Sequence, residues 1–150
     1  MTDATLAIRL DELHRATLDV VGAMNGPRRD LSLLSEAGVT LEQALFPLVV
    51  LIDRLGPIGT VALADRVGRD YTTVSRQLDR LARLGLIERR PGTPDRRVRE
   101  ALVTSAGKAM NDRIDAARER LMREAFADWP RGDVDTLTHL MRRLADALDQ

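Results

Sequence analysis

Cysteine is absent from the 150 residues, so disulfides, thiolate metal sites and any thiol-based response to peroxide are excluded together. Histidine occurs only as His14 and His139, near opposite ends of the chain and without the spacing of a metal site. The aromatic residues are Phe46, Tyr71, Phe126 and Trp129. The core must therefore be built from leucine, valine, isoleucine and alanine, a composition that favours helices. Long apolar runs are also missing. Ala44–Ile52 is the longest at nine residues, whereas a membrane crossing needs about 20. Asp3, Asp11 and Glu12 occupy the N-terminal region in place of an apolar signal core, which leads us to expect a cytoplasmic protein. No H-E-x-x-H, Walker A, G-x-S-x-G or dinucleotide glycine pattern occurs. Asp65, Asp70, Asp79 and Asp95 read as helix caps and arginine partners rather than paired general acids. The sequence thus predicts a protein that is not an enzyme and needs no metal or cofactor.

What is present is arginine. Lys108 is the single lysine, and the other 22 basic residues are arginines, which suit bidentate contacts to phosphate and guanine. Basic and acidic residues balance at 23 each, but unevenly along the chain. Met1–Asp65 carries a net charge of −4, Arg66–Arg99 one of +6 and Glu100–Gln150 one of −2. A basic middle between acidic flanks is the electrostatic outline of a nucleic-acid-binding segment.

Helical periodicity marks both ends. Leu6, Leu10, Leu13, Thr17, Val20 and Met24 recur at spacings of three and four, predicting a helix over 5–24 that ends at Gly26-Pro27. A short helical turn is expected over 30–34. Thr40 and Gln43 form a candidate capping box opening a further helix that runs toward Gly56-Pro57, kinked at Pro47. Beyond Gly107 a helix with Met110, Ile114, Ala117 and Leu121 on one stripe is expected to reach about Asp128. Trp129-Pro130-Arg131-Gly132 breaks it, and Val134, Leu137, Met141, Leu144 and Leu148 mark a last helix.

The middle is punctuated differently. Thr60 is placed to cap a short helix, 61–67, which Gly68 ends. Asp70 is placed to cap a second helix, 71–84, with the apolar stripe Val74, Leu78, Leu81 and Leu84. Two helices joined by a short turn containing glycine fit helix-turn-helix geometry. Strands over 86–90 and 97–104 around a turn at Pro91–Asp95 complete a hairpin whose neck and tip carry Arg89, Arg90, Arg96, Arg97 and Arg99. The predicted fold is mainly α with a small β-hairpin wing, a winged helix-turn-helix with long terminal helices.

Arg66–Arg90, R-V-G-R-D-Y-T-T-V-S-R-Q-L-D-R-L-A-R-L-G-L-I-E-R-R, resembles the MarR family of bacterial transcriptional regulators. So does the wing, T-P-D-R-R-V-R-E-A-L-V-T-S-A-G, Thr93–Gly107. Asp95 and Arg97 match the family's D-x-R wing element, and Val103-Thr104 with Gly107 its strand-to-helix junction. Tyr71-Thr72, where many members have a basic or polar residue followed by proline, and Glu100, where an apolar residue is common, depart from the pattern. The resemblance implies a lobe over about 40–104 that binds DNA, and dimerisation helices over about 4–25 and 106–150. It also implies a small-molecule effector held between the dimer helices and the lobe.

The apolar stripe of the second helix turns Tyr71, Thr72, Ser75 and Arg76 outward, toward the major groove in this reading. Thr73 either joins them or serves as a structural hydroxyl beside Asp70. Arg80 and Arg83 lie further along, toward phosphate. In the wing, the D-x-R match implies that Arg97 enters the minor groove, with Arg96 on phosphate and Asp95 orienting the Arg97 guanidinium. The alternative is that Asp95 and Arg97 only brace the hairpin. A helix of 20 residues is about 30 Å long, while a lobe of this size is about 25 Å across. Stripes that overhang the lobe would be wet in a monomer, so Leu6, Leu10 and Leu13 with Leu137, Met141, Leu144 and Leu148 are expected at a homodimer interface. Folding back within one chain is the alternative. The expected function is a homodimeric repressor that binds a palindromic double-stranded operator, with its DNA affinity modulated by a small-molecule effector. The alternative is a winged-helix module that binds a protein partner and no operator.

Overall fold

The computed structural model describes residues 2–149. Helix α1 spans Asp3–Asn25, and the Thr2 side chain accepts from the Thr5 N–H at its start. It stops at Gly26, and Pro27 opens α2, Pro27–Ala37. Proline suits a first helical turn, where its missing N–H would have had no partner. The short turn expected over 30–34 is thus a helix of 11 residues. The predicted capping box is not formed. Residues 39–42 form no regular element, a 3-10 turn covers Gln43–Leu45, and α3 runs Phe46–Leu55. The physical reason is Pro47, which is costly inside a helix and costs nothing in its first turn, so the helix begins beside it instead of kinking around it. Gln43 Nε2 donates to the Pro27 carbonyl at 3.4 Å instead of reaching back to a cap.

Strand β1, Ile58–Gly59, was not foreseen. It is followed by α4, Thr60–Val67, α5, Tyr71–Arg83, β2, Ile87–Pro91, and β3, Arg99–Val103. The antiparallel sheet has the order β1-β3-β2, with Ile58 opposite Ala101 and Arg89 opposite Ala101 on its other side. The long helices α6, Ser105–Ala125, and α7, Arg131–Leu148, complete the chain. No helix among the described residues is long and apolar enough to cross a membrane.

The core gathers Leu33 and Leu34 of α2, Leu48, Val49 and Ile52 of α3, Leu63 of α4, and Val74, Leu78 and Leu81 of α5. Ile87 and Ala101 close it from the sheet. Met110, Ile114 and Ala117 of α6 are buried in the same cluster, so the first half of that helix packs into the lobe of its own chain. Helices α1 and α7 bury no residue at all.

Gly107 shows how tightly α6 is seated on the sheet. A Cβ there would lie 2.1 Å from the Leu86 carbonyl oxygen, a clash with backbone that no rotamer relieves. The preceding Thr104 caps α6 by accepting the Gly107 N–H at 3.1 Å, and its hydroxyl donates to the Gly85 carbonyl at 2.6 Å. The expected strand-to-helix junction is therefore a two-sided hydrogen-bonded corner, with the glycine lying inside the helix rather than before it.

Candidate nucleic-acid interface

Helix α5 is anchored by its apolar stripe. Val74, Leu78 and Leu81 are fully buried, which turns Thr72, Arg76 and Arg83 to the opposite, exposed face. Gly68, at φ +67°, closes α4 in the left-handed conformation and lets the chain turn toward α5. Asp70 then caps α5. Its Oδ1 accepts the Thr73 N–H at 2.8 Å, and its Oδ2 accepts the Thr73 hydroxyl at 2.7 Å. The Thr73 hydroxyl, followed by the backbone N–H bond, holds the Asp70 carboxyl below its ordinary value. Of the two roles considered for Thr73, the structural hydroxyl is the one formed here, and its side chain is half-buried. Ser75 is also half-buried, whereas Tyr71, Thr72, Arg76 and Arg80 are exposed.

Two ion pairs flank α5. On one side Asp79 Oδ1 accepts from Arg89 NH1 of β2 at 2.8 Å. On the other, Arg80 NH1 meets Glu42 Oε2 at 2.6 Å. Arg89 lies at the hairpin neck as expected, but the sequence assigned it no partner. Its side chain is only 11% exposed, and its NH2 donates to the Thr60 hydroxyl at 3.0 Å. Thr60 is correspondingly buried as the first residue of α4, with Gly59 in the cap position, so it receives Arg89 instead of capping the helix. One guanidinium thus ties the wing to both helices of the helix-turn-helix. Arg69, in the turn, does similar work by donating to the Ala44 carbonyl at 2.7 Å and to Gln77 Oε1 at 3.0 Å.

The wing tip is a loop over residues 92–98, so Arg96 and Arg97 lie on it, ahead of β3, both exposed. The role expected for Asp95 needs correction. Its Oδ1 accepts the backbone N–H of Arg97 at 3.0 Å, and among the described residues no ion pair joins the two side chains. Two residues apart in a tight turn, the short Asp95 carboxylate reaches the nearby N–H, while the guanidinium extends beyond it. Asp95 shapes the backbone of the tip and leaves the Arg97 head free. A hollow of about 310 Å³ between the starts of α4 and α5 and the wing is lined by Val61, Tyr71, Arg89, Arg97, Val98 and Arg99. It brings Tyr71 and Arg97, far apart in the chain, to one place.

All but one of the residues expected at a dimer interface are also exposed. Leu6, Leu10 and Leu13 are 40–55% exposed on α1, and Leu137, Met141 and Leu148 of α7 are open as well. Leu144 is half-buried. A groove of about 830 Å³ between the end of α6 and α7 is lined by Met24, Met122, Phe126, Leu137, Met141 and Ala145, among others. His14 and His139 are exposed on α1 and α7.

Residues 41–98 match the model of the MarR family. Among solved structures, the chain is similar to a MarR family protein from Bacillus stearothermophilus at 18% identity and a TM-score of 0.76, covering 100% of this chain and 99% of the other. It is similar to wild-type MarR in its apo form from E. coli at 25% identity and a TM-score of 0.67, covering 85% of this chain and 96% of that one. YusO from Bacillus subtilis matches at 20% identity and a TM-score of 0.61, over 98% and 99% of the two chains. The family match falls on the helix-turn-helix and wing, and the fold that the chain shares with these solved structures extends through the long terminal helices.

Proposed function

We propose that this chain is a homodimeric repressor that acts in the cytoplasm on a palindromic operator, with its DNA affinity set by a small-molecule effector. The observation that carries the reading is the exposed face of α5. Thr72, Arg76 and Arg83 point away from a fully buried apolar stripe, and the flanking wing carries Arg96 and Arg97, both exposed. In this reading Tyr71, Thr72, Ser75 and Arg76 meet base edges in the major groove, with the methyl of Thr73 beside them. Arg96 meets phosphate, and Arg97 enters the minor groove, whose negative potential is strongest where it is narrow.

A second copy is the natural cover for α1 and α7. An apolar side chain left in water forgoes about 25 cal/mol per Å² of burial, and the exposed large hydrophobic residues concentrate on these two helices. A twofold pair places two α5 helices on one side of the dimer, which suits half-sites about 10 bp apart. An effector bound between the dimer helices and the lobe acts by favouring one spacing of the two recognition helices over another.

Sequencing of genomic DNA captured by the purified chain tests the proposal. Enrichment of an inverted repeat, bound by wild type and lost with Arg76→Ala and Arg97→Ala together, is the expected result. Capture of protein partners with no DNA enriched overturns it in favour of the protein-interaction module.

A further inference from the structure

The ion pair between Arg80 and Glu42 has no role in the reading above, in which α5 simply presents its arginines to DNA. Arg80 is exposed on α5, as Arg76 and Arg83 are. Its guanidinium is already engaged at 2.6 Å by Glu42 Oε2. Glu42 immediately precedes the 3-10 turn Gln43–Leu45, so it is delivered to α5 by a different part of the lobe. That part is well anchored. Arg69 NH1 holds the Ala44 carbonyl, and Leu45 and Phe46 are buried in the core. The carboxylate is therefore presented from a fixed base and is not carried by a loose loop. Both partners are about half exposed, at 54% and 48%, so the pair is open to competition from an approaching anion.

The two flanks of α5 differ in this respect. Arg89, which meets Asp79, is nearly enclosed and also bonds Thr60, so that pair is a brace. Among the described residues the Arg80 guanidinium has no polar partner besides Glu42, and its pair is an exchangeable contact. A carboxylate and a phosphate oxygen offer the same planar fork of the guanidinium the same chemistry.

We propose that Glu42 is a built-in competitor for the DNA backbone. It occupies Arg80 in the free protein and must be displaced for Arg80 to bind phosphate. The inference rests on the DNA-binding reading and deepens it by naming a residue that sets affinity without touching a base. The carboxylate lowers binding to every sequence by a similar factor. Non-specific occupancy is thereby held down, while discrimination between operator and other DNA is left to the base-facing residues. An exposed ion pair is weak, so the effect is a modest one.

The test is a set of binding isotherms on operator and scrambled duplexes, across a range of salt, for wild type, Glu42→Gln, Arg80→Ala and the double variant. Glu42→Gln is expected to tighten binding about two- to fivefold on both duplexes. It should steepen the slope of log K against log salt by roughly one unit, as one more arginine neutralises a phosphate. Arg80→Ala should weaken binding, and Glu42→Gln should have no further effect in that background, because no guanidinium remains to be freed. Three results overturn the proposal. Unchanged binding in Glu42→Gln shows that the carboxylate costs nothing. Weaker binding, with an unchanged melting temperature, makes Glu42 a helper that positions Arg80. An equal gain in the Arg80→Ala background assigns the effect to the general field of the carboxylate. If wild type binds neither duplex at any salt, the DNA-binding reading itself falls, an outcome distinct from all three.

Discussion

The lobe and the terminal helices of this chain are built from the same residues to opposite ends. In the lobe, leucines and valines at helical spacing point inward. Leu48, Val49, Leu63, Val74 and Leu78 reach zero exposure. In α1 and α7 the same residue types at the same spacing bury nothing. Helix α6 contains both conditions, with Ile114 and Ala117 enclosed by the lobe and Met122, two turns on, 42% exposed. Amphipathic periodicity therefore says that a face will be covered, but not by which chain. What separates the two cases is whether other elements of the same chain lie within reach, as α2 and α3 do for the first half of α6 and as nothing does for most of α1.

The largest way to break the comparison lies in the lobe. Leu78→Ala removes a fully buried side chain from the centre of α5 and should cost about 2–5 kcal/mol in chemical denaturation. That loss should be the same at every protein concentration, since the core belongs to one chain. A substitution in the terminal helices should behave otherwise. Met141→Glu places a carboxylate in the face expected to meet a second copy, where it would lie buried without a partner. Light scattering should report a monomer for this variant and a dimer for wild type, and the melting temperature of wild type alone should rise with concentration.

Smaller effects sharpen the DNA-facing side. Arg76→Ala should reduce discrimination between operator and scrambled DNA by about 1–3 kcal/mol, the range for one bidentate base contact. Arg97→Ala should weaken binding and make the salt slope shallower by roughly one unit, with the melting temperature nearly unchanged. An Arg97→Ala variant that binds like wild type but melts several degrees lower would make the residue a brace of the hairpin. Asp95→Ala acts through the backbone of the tip, so it should give a milder loss of binding than Arg97→Ala while keeping the arginine's charge.

The smallest expected effect belongs to the cap. Because Asp70 is held below its ordinary value by Thr73, its contribution to stability is complete above the unfolded-chain carboxylate value. It is lost as pH falls through the lowered folded-state value. Asp70→Asn should therefore flatten the acid limb of melting temperature against pH, and Thr73→Val should reproduce part of that flattening by removing the hydroxyl donor.

Much of this was legible in the sequence because local chemistry decided it. Asp70, Gly68 and the stripe Val74–Leu78–Leu81 each state their role within one turn of helix, and each is found in that role. The same holds for Thr104 and Gly107 at the junction, once Leu86 is seen to lie against the glycine. What was not legible depended on partners distant in the chain. Strand β1 has two residues and exists only because β3 offers it an edge. Arg89 is buried only because Asp79 and Thr60 converge on it, and Glu42 meets Arg80 only through the tertiary fold. At Thr40 a local signal pointed the wrong way, because a capping box opening six residues ahead of Phe46 competed with the preference of Pro47 for a helix's first turn.

The central claim is that two copies, joined through faces that one chain leaves open, place two α5 helices on one operator. Hydroxyl-radical footprinting of the full chain on captured operator DNA tests this most directly. The account predicts two symmetrically related protected segments with centres about 10 bp apart, both lost in Met141→Glu at concentrations where wild type is bound. A single unsymmetrical footprint, equally strong in wild type and Met141→Glu, would contradict it.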